Sequence, residues 1–150
     1  MVQIELTDTL REQLGQAYSP SAASNASRTW RGYGTFTVRA SVSTAQVKAT
    51  RAAILATLAD LRDHPVSDDV LLRARAPLLE SYDNLLKTNG GWLTLTDRAQ
   101  SEADRIDRYA KARERLGAIT AVQLQALARQ YLTDTAGVEI TVLPEGVEPG

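Results

Sequence analysis

The sequence has no cysteine and a single histidine, His64. Without cysteine there is no disulfide framework, no thiolate nucleophile and no thiolate metal site, and the redox compartment is left open. One histidine cannot supply the three or four protein ligands of a self-contained zinc site. A Ser-His-Asp arrangement would have to use that same residue, and no G-x-S-x-G turn exists to hold the serine. Charge of one sign is also missing: 17 basic against 18 acidic residues leave a net charge of −1, which removes the electrostatic footprint of a nucleic-acid binder. No run approaches the ~18–20 apolar residues of a membrane span. The opening "MVQIELTDTLREQ" carries acids where a signal peptide needs a basic region. The glycine clusters "GYG" and "NGG" are too short to cradle phosphate.

What is present is ordinary globular material, 43% apolar and 23% charged over 150 residues, read as a single domain over residues 1–150. Val2, Leu6, Leu10 and Leu14 lie four apart and predict a helix over 1–14. A helix with no cap before it leads to the expectation that the chain is N-terminally truncated. Gly15 suits the left-handed residue that ends a helix, and Arg11 then stands in the last turn, where the dipole favours a cation. "QAYSPSAAS" reads as an extended edge segment punctuated by Pro20. "YGTFTVRASVS" is the clearest strand, with Phe36, Val38, Ala40 and Val42 alternating with polar residues. These two pieces are expected to form a hairpin with a loop of about eight residues.

From Ser43 the period changes to that of helices. Val47, Ile54, Leu55, Leu58 and Leu61 would face inward in a helix closed by Pro65. A second begins at Ser67 or Asp68, with Leu71, Leu78, Leu79, Tyr82 and Leu85 as its buried face and Pro77 expected to kink or split it. "NGG" at 89–91 is expected to break or bend the chain, and a third helical stretch follows from Trp92 to Ile119. Thr120 caps a fourth, with Leu124, Leu127, Ala128 and Tyr131 inward, and "GVEITVLP" reads as a final strand. Strands and helices are segregated, so the fold class is α+β: a small antiparallel-rich sheet with helices on one face.

Composition and spacing show no catalytic centre. His64, before a proline at a helix end, reads as a helix-terminal residue. Asp60, Asp63, Asp68 and Asp69 read as solvated acids at a helix end and a helix start. "ADRIDRYAKARERL" holds Asp104–Arg108 and Asp107–Lys111 as i,i+4 pairs and reads as a solvent-facing helix rather than a nucleic-acid patch. Trp30 and Trp92 are expected to fill the core, with an interface anchor as the alternative.

One motif carries chemistry. "LREQLGQAYSP", followed in order by "GYGTFTVRASVS", "HPVSDDVLLRAR" and "ITAVQLQALARQYL", resembles the second, non-zinc half of the pitrilysin/insulinase-like zinc metallopeptidases over most of residues 6–143. The resemblance implies a half-domain of the processing-peptidase-like metallohydrolase fold. In that family two homologous halves enclose a chamber. The first carries H-x-x-E-H and the zinc, and the second lends an arginine and a tyrosine to the shared site. Here those positions are Arg11 and Tyr18.

The chemistry suits the implied roles. A neutral phenol, with a pKa of ~10, donates a hydrogen bond to a developing oxyanion. A guanidinium presents a rigid fork of donors to substrate carbonyls. The bland alternative is an arginine complementing a helix dipole and a tyrosine packed beside a strand.

The resemblance further implies a substrate-binding domain of a zinc-dependent endopeptidase, inactive alone, with no metal of its own and zinc in the parent enzyme. Its partners would be a peptide or protein substrate and the zinc-bearing N-terminal half, with a lean toward the bacterial periplasm or envelope. The alternative is a non-catalytic scaffold subunit of the same fold. If strands before Val2 are absent, the chain is expected to form a homodimer through the open sheet edge at Tyr33–Ser43 or through the first helix.

Overall fold

Leucines at every fourth position build the first element. In the computed structural model, which describes residues 1–14, 20–27, 29–133 and 137–147, α1 runs Val2–Leu14. Leu6 and Leu10 are its buried residues. Pro20 is buried and precedes β1, Ser21–Ala26, which pairs antiparallel with β2, Gly34–Arg39. The register sets Ala22 opposite Val38 and Ser24 opposite Phe36 on one face, and Ser21 opposite Arg39 and Ala23 opposite Thr37 on the other. The connection is closed by Ser27 N–H donating to the Tyr33 carbonyl and Trp30 N–H donating to Ser27 Oγ. Gly32, at φ 78°, takes the left-handed turn position that a side chain would strain.

A 3₁₀ turn at Thr44–Gln46 leads into α2, Val47–Asp63. α1 packs against α2 and touches β1. The buried face of α2 is Thr50, Ala53, Thr57 and Leu61, rotated from the expected stripe: Leu55 is exposed, and Val47, Ile54 and Leu58 are half-buried. Small residues let the two helix backbones approach closely, which larger side chains at those positions would prevent. Thr57 Oγ1 is satisfied by the Ala53 carbonyl at 2.9 Å.

Residues Met1–Pro65 with Gln125–Gly150 form one compact unit, and Val66–Leu124 a second. In the first unit, two helix C-termini cap each other. Gln125 Nε2 donates to the Arg62 and Asp63 carbonyls at 3.1 and 2.8 Å, and Arg129 Nε donates to the Arg62 carbonyl at 2.7 Å. Arg62 Nη1 in turn donates to the Leu132 carbonyl, just past the end of α7, Ala121–Tyr131. These side chains satisfy carbonyls that an α-helix leaves without internal partners.

The second unit opens with α3, Asp68–Leu85, capped by Ser67 Oγ accepting from Val70 N–H. Pro77 lies inside α3 without dividing it. The position is exposed, so water can reach the carbonyl one turn back that a proline leaves unbonded. The expected buried face of α3 is only partly realised. Val70 is buried, Leu71, Leu79, Tyr82 and Leu85 are half-buried, and Leu78 is exposed.

The helical stretch expected from Trp92 onward is three helices: α4 Asn89–Thr96, α5 Arg105–Ala110 and α6 Ala112–Ala118. Asp97 leaves the helix in an extended conformation and Arg98 takes φ 59°, so α4 stops there. Arg105 then folds back to donate to the Thr94 and Leu95 carbonyls at 2.5 and 2.9 Å, replacing the helix continuation. Tyr109 Oη donates to the Tyr82 carbonyl, and Arg113 pairs with Asp83. Thr120 and Gln123 form a reciprocal cap before α7: each backbone N–H donates to the other's side chain.

Mixed helices with a two-stranded antiparallel sheet make the chain α+β, as expected. The third strand is a correction. Residues 137–144 form neither a helix nor a strand paired with another among the described residues, since alternation alone makes no ladder. α7 also differs from expectation: Ala128 is buried, while Leu127 and Tyr131 are exposed.

Gly91 marks a close approach within the second unit, since a Cβ there would fall on the Leu85 carbonyl, whereas Gly90 has room. Gly91→Ala is therefore expected to lower stability by roughly 2–4 kcal/mol through overpacking and backbone displacement. Gly90→Ala, in the same helical turn, is expected to raise it by about 0.5–1 kcal/mol. Urea unfolding of the two variants checks the opposite signs.

Candidate functional site

The chemistry-bearing segment joins the end of α1 to the start of β1. Arg11 stands in the last turn of α1, whose bounds are Val2–Leu14. The leucine repeat sets the phase of this helix. Tyr18 and Gly15 lie outside the described residues, as does the side chain of Arg11. Both flanks are described: Leu10 is buried on α1, and buried Pro20 opens the hairpin.

His64 is the C-cap residue of α2, and its Nδ1 lies 2.8 Å from Asp60 Oδ1, one turn back, with both side chains largely in solvent. Asp69 pairs with Arg73 at 2.9 Å across one turn of α3. Among the described residues, no group of three or more His, Asp or Glu gathers to hold a metal ion.

The charged run keeps its charges among themselves. Arg108 bonds both Glu102 and Asp104, at 2.7 and 3.2 Å, and Lys111 bonds Asp107 at 3.0 Å. Glu102 also lies 3.4 Å from Arg105 and is mostly shielded from solvent. This network braces the turn between α4 and α5, and its cations face carboxylates rather than an open basic surface. No helix among the described residues is long and apolar enough to cross a membrane.

The two tryptophans overturn the core-filling expectation. Trp30 is 71% exposed in the hairpin connection and Trp92 is 52% exposed on α4. Spacing holds no signal for this, since a tryptophan next to a loop reads the same whether it points in or out. A shallow depression bounded by Leu93, Thr94, Thr96 and Asp97 is open to solvent and brings one carboxylate and no base to its wall.

A position near a helix C-terminus is worth only about 0.3–1 kcal/mol to a cation. Arg11→Ala is accordingly expected to lower the stability of this chain by less than about 1 kcal/mol. Thermal unfolding checks it, and a larger loss would mean that Arg11 serves packing rather than a site.

Comparison with known proteins follows the same segment. The family model described as the peptidase M16 inactive domain matches residues 3–78, which takes in α1, the Arg11–Tyr18 segment, the hairpin, α2 and the first half of α3. No curated protein and no solved structure matches the chain.

Proposed function

The chain belongs to the peptidase M16 inactive-domain family, and from that premise we propose that it is the substrate-binding, non-metal half of a zinc-dependent endopeptidase. The observation that carries the reading is that the family match spans "LREQLGQAY", with Arg11 in the last turn of α1. A helix end is a sound mount for a substrate-holding group when the helix is held by packing, as α1 is through Leu6 and Leu10.

The roles assigned to this chain's own residues need no metal here. Arg11 holds backbone carbonyls of an extended peptide through its fork of donors. Tyr18 donates a hydrogen bond from its phenol to the oxygen on which negative charge develops as the scissile carbonyl is attacked. The zinc and the group that activates water belong to the other half. His64 is engaged by Asp60 on a helix end, and among the described residues no set of ligands gathers to supply them. The chain alone is therefore inactive, and its partners are a peptide and the zinc-bearing half. A non-catalytic scaffold role is the second reading, and the family's description as an inactive domain is the observation that favours it.

In the complete enzyme, Tyr18→Phe is expected to lower kcat by roughly 10²–10³ with little change in KM, the signature of a donor that acts only in the transition state. Arg11→Ala is expected to raise KM. Steady-state kinetics on a peptide substrate separates the two, and unchanged turnover in Tyr18→Phe would favour the scaffold. Metal analysis of the purified 150-residue chain is expected to find far less than one zinc per chain, and one tightly held zinc would overturn the division of labour.

A further inference from the structure

Two parts of the first unit are unpaired and complementary to each other. β2 has β1 on one side and no strand on the other among the described residues. Residues 138–142, Val-Glu-Ile-Thr-Val, form neither a helix nor a paired strand, and Val138, Ile140 and Val142 are 89%, 82% and 88% exposed. As a strand, the segment would place these three side chains on one face and Glu139 and Thr141 on the other. Glu139 Oε2 lies 2.6 Å from Arg51 Nε of α2, and the segment forms no ladder with its own hairpin.

We propose that residues 138–142 of one copy add antiparallel to the free edge of β2 in a second copy, and that the exchange is reciprocal. One register matches every position. Ile140 falls opposite Val38, Val142 opposite Phe36 and Val138 opposite Ala40, extending the face on which Ala22 already neighbours Val38. On the other face Glu139 falls opposite Arg39 and Thr141 opposite Thr37. A β-branched residue beside an aromatic, a threonine pair and an opposite-charge pair are the favourable cross-strand combinations. A slip of two residues toward the hairpin turn loses the charge pair and sets Val142 against Gly34.

Physical economy favours a second copy as the occupant. In its own chain the segment is held beside α2 by Arg51, while both β2 and the segment keep an open edge. Reciprocal addition closes a two-fold dimer in which each two-stranded hairpin becomes a three-stranded sheet with an apolar face. Leu6 and Leu10 of α1 are already buried within the chain, so they are not free to make a contact between copies. This inference does not depend on the peptidase reading.

Charge reversal tests it, since Arg39 and Glu139 are both exposed. Arg39→Glu alone sets like charges opposite each other at both exchanged strands, as does Glu139→Arg alone. Each is expected to weaken dimerisation by roughly tenfold or more. Mixing the two variants in equal amounts restores an opposite-charge pair at both strands, so a heterodimer of about wild-type strength is expected by sedimentation velocity from about 10 μM to 1 mM. Because the chain has no native cysteine, a Thr37→Cys chain mixed with a Thr141→Cys chain is expected to form a mixed disulfide in glutathione buffer. The out-of-register mixture of Thr35→Cys with Thr141→Cys is expected to form little. A wild-type monomer throughout the range, a dimer indifferent to the reversals, or reversals that mixing does not rescue would each overturn the proposal. So would a disulfide that forms only within a single chain carrying both Thr37→Cys and Thr141→Cys, since that places the segment on its own hairpin.

Discussion

The seam between α1 and α2 is the constraint on which the first unit rests. Its buried side chains are two leucines on α1 and, on α2, two threonines, an alanine and one leucine. Such a seam supports little area, so the helices must lie close for it to exclude water. Close approach needs small residues on at least one helix, and it leaves hydroxyls in a dry place. Thr57 meets that cost by bonding back to Ala53, whereas Thr50 Oγ1 is buried without a partner among the described residues. The placement of Arg11 follows from this seam, because α1 ends where its leucine repeat ends.

Polar side chains do much of the remaining work. At the end of α2, Gln125 and Arg129 serve carbonyls that would otherwise need water, and Arg62 returns the same service to the end of α7. In the second unit Arg105 does this for α4 and Arg75 donates to the Ile119 carbonyl. Helix ends are thus joined by charged and amide side chains across sequence separations that no local pattern encodes. A net hydrogen bond contributes modestly, but leaving such a carbonyl buried and unbonded costs more, so these contacts govern which helix ends can meet.

For function, the consequence is a division between scaffold and chemistry. The family match takes in the α1 terminus, and the reading of this chain as a non-metal half that holds substrate rests on that match. Exposed aromatic and aliphatic residues, Trp30, Tyr33, Trp92 and Leu127 among them, show that much apolar surface faces outward in the isolated chain. Surfaces of that kind are the ordinary material of contacts between chains or halves.

Local rules determined much of this protein. Leucine spacing specified α1, alternation specified β2, Ser67 and Thr120 specified helix starts, and i,i+4 charge pairs specified the ion pairs at Asp104 and Asp107, since each depends on residues within one or two turns. The order "LREQLGQAYSP" before the strand block likewise sufficed to point to the family, because a motif is a local record. Tertiary structure decided the rest. It turned Thr50 and Ala53 inward in place of Leu55, since the seam selects for close approach and not for hydrophobicity. It ended α4 at Asp97 because Arg105, distant in the helical pattern, could take the last carbonyls. It left "VEITV" without a ladder, because alternation makes a segment fit for a sheet while only a neighbouring edge makes it a strand.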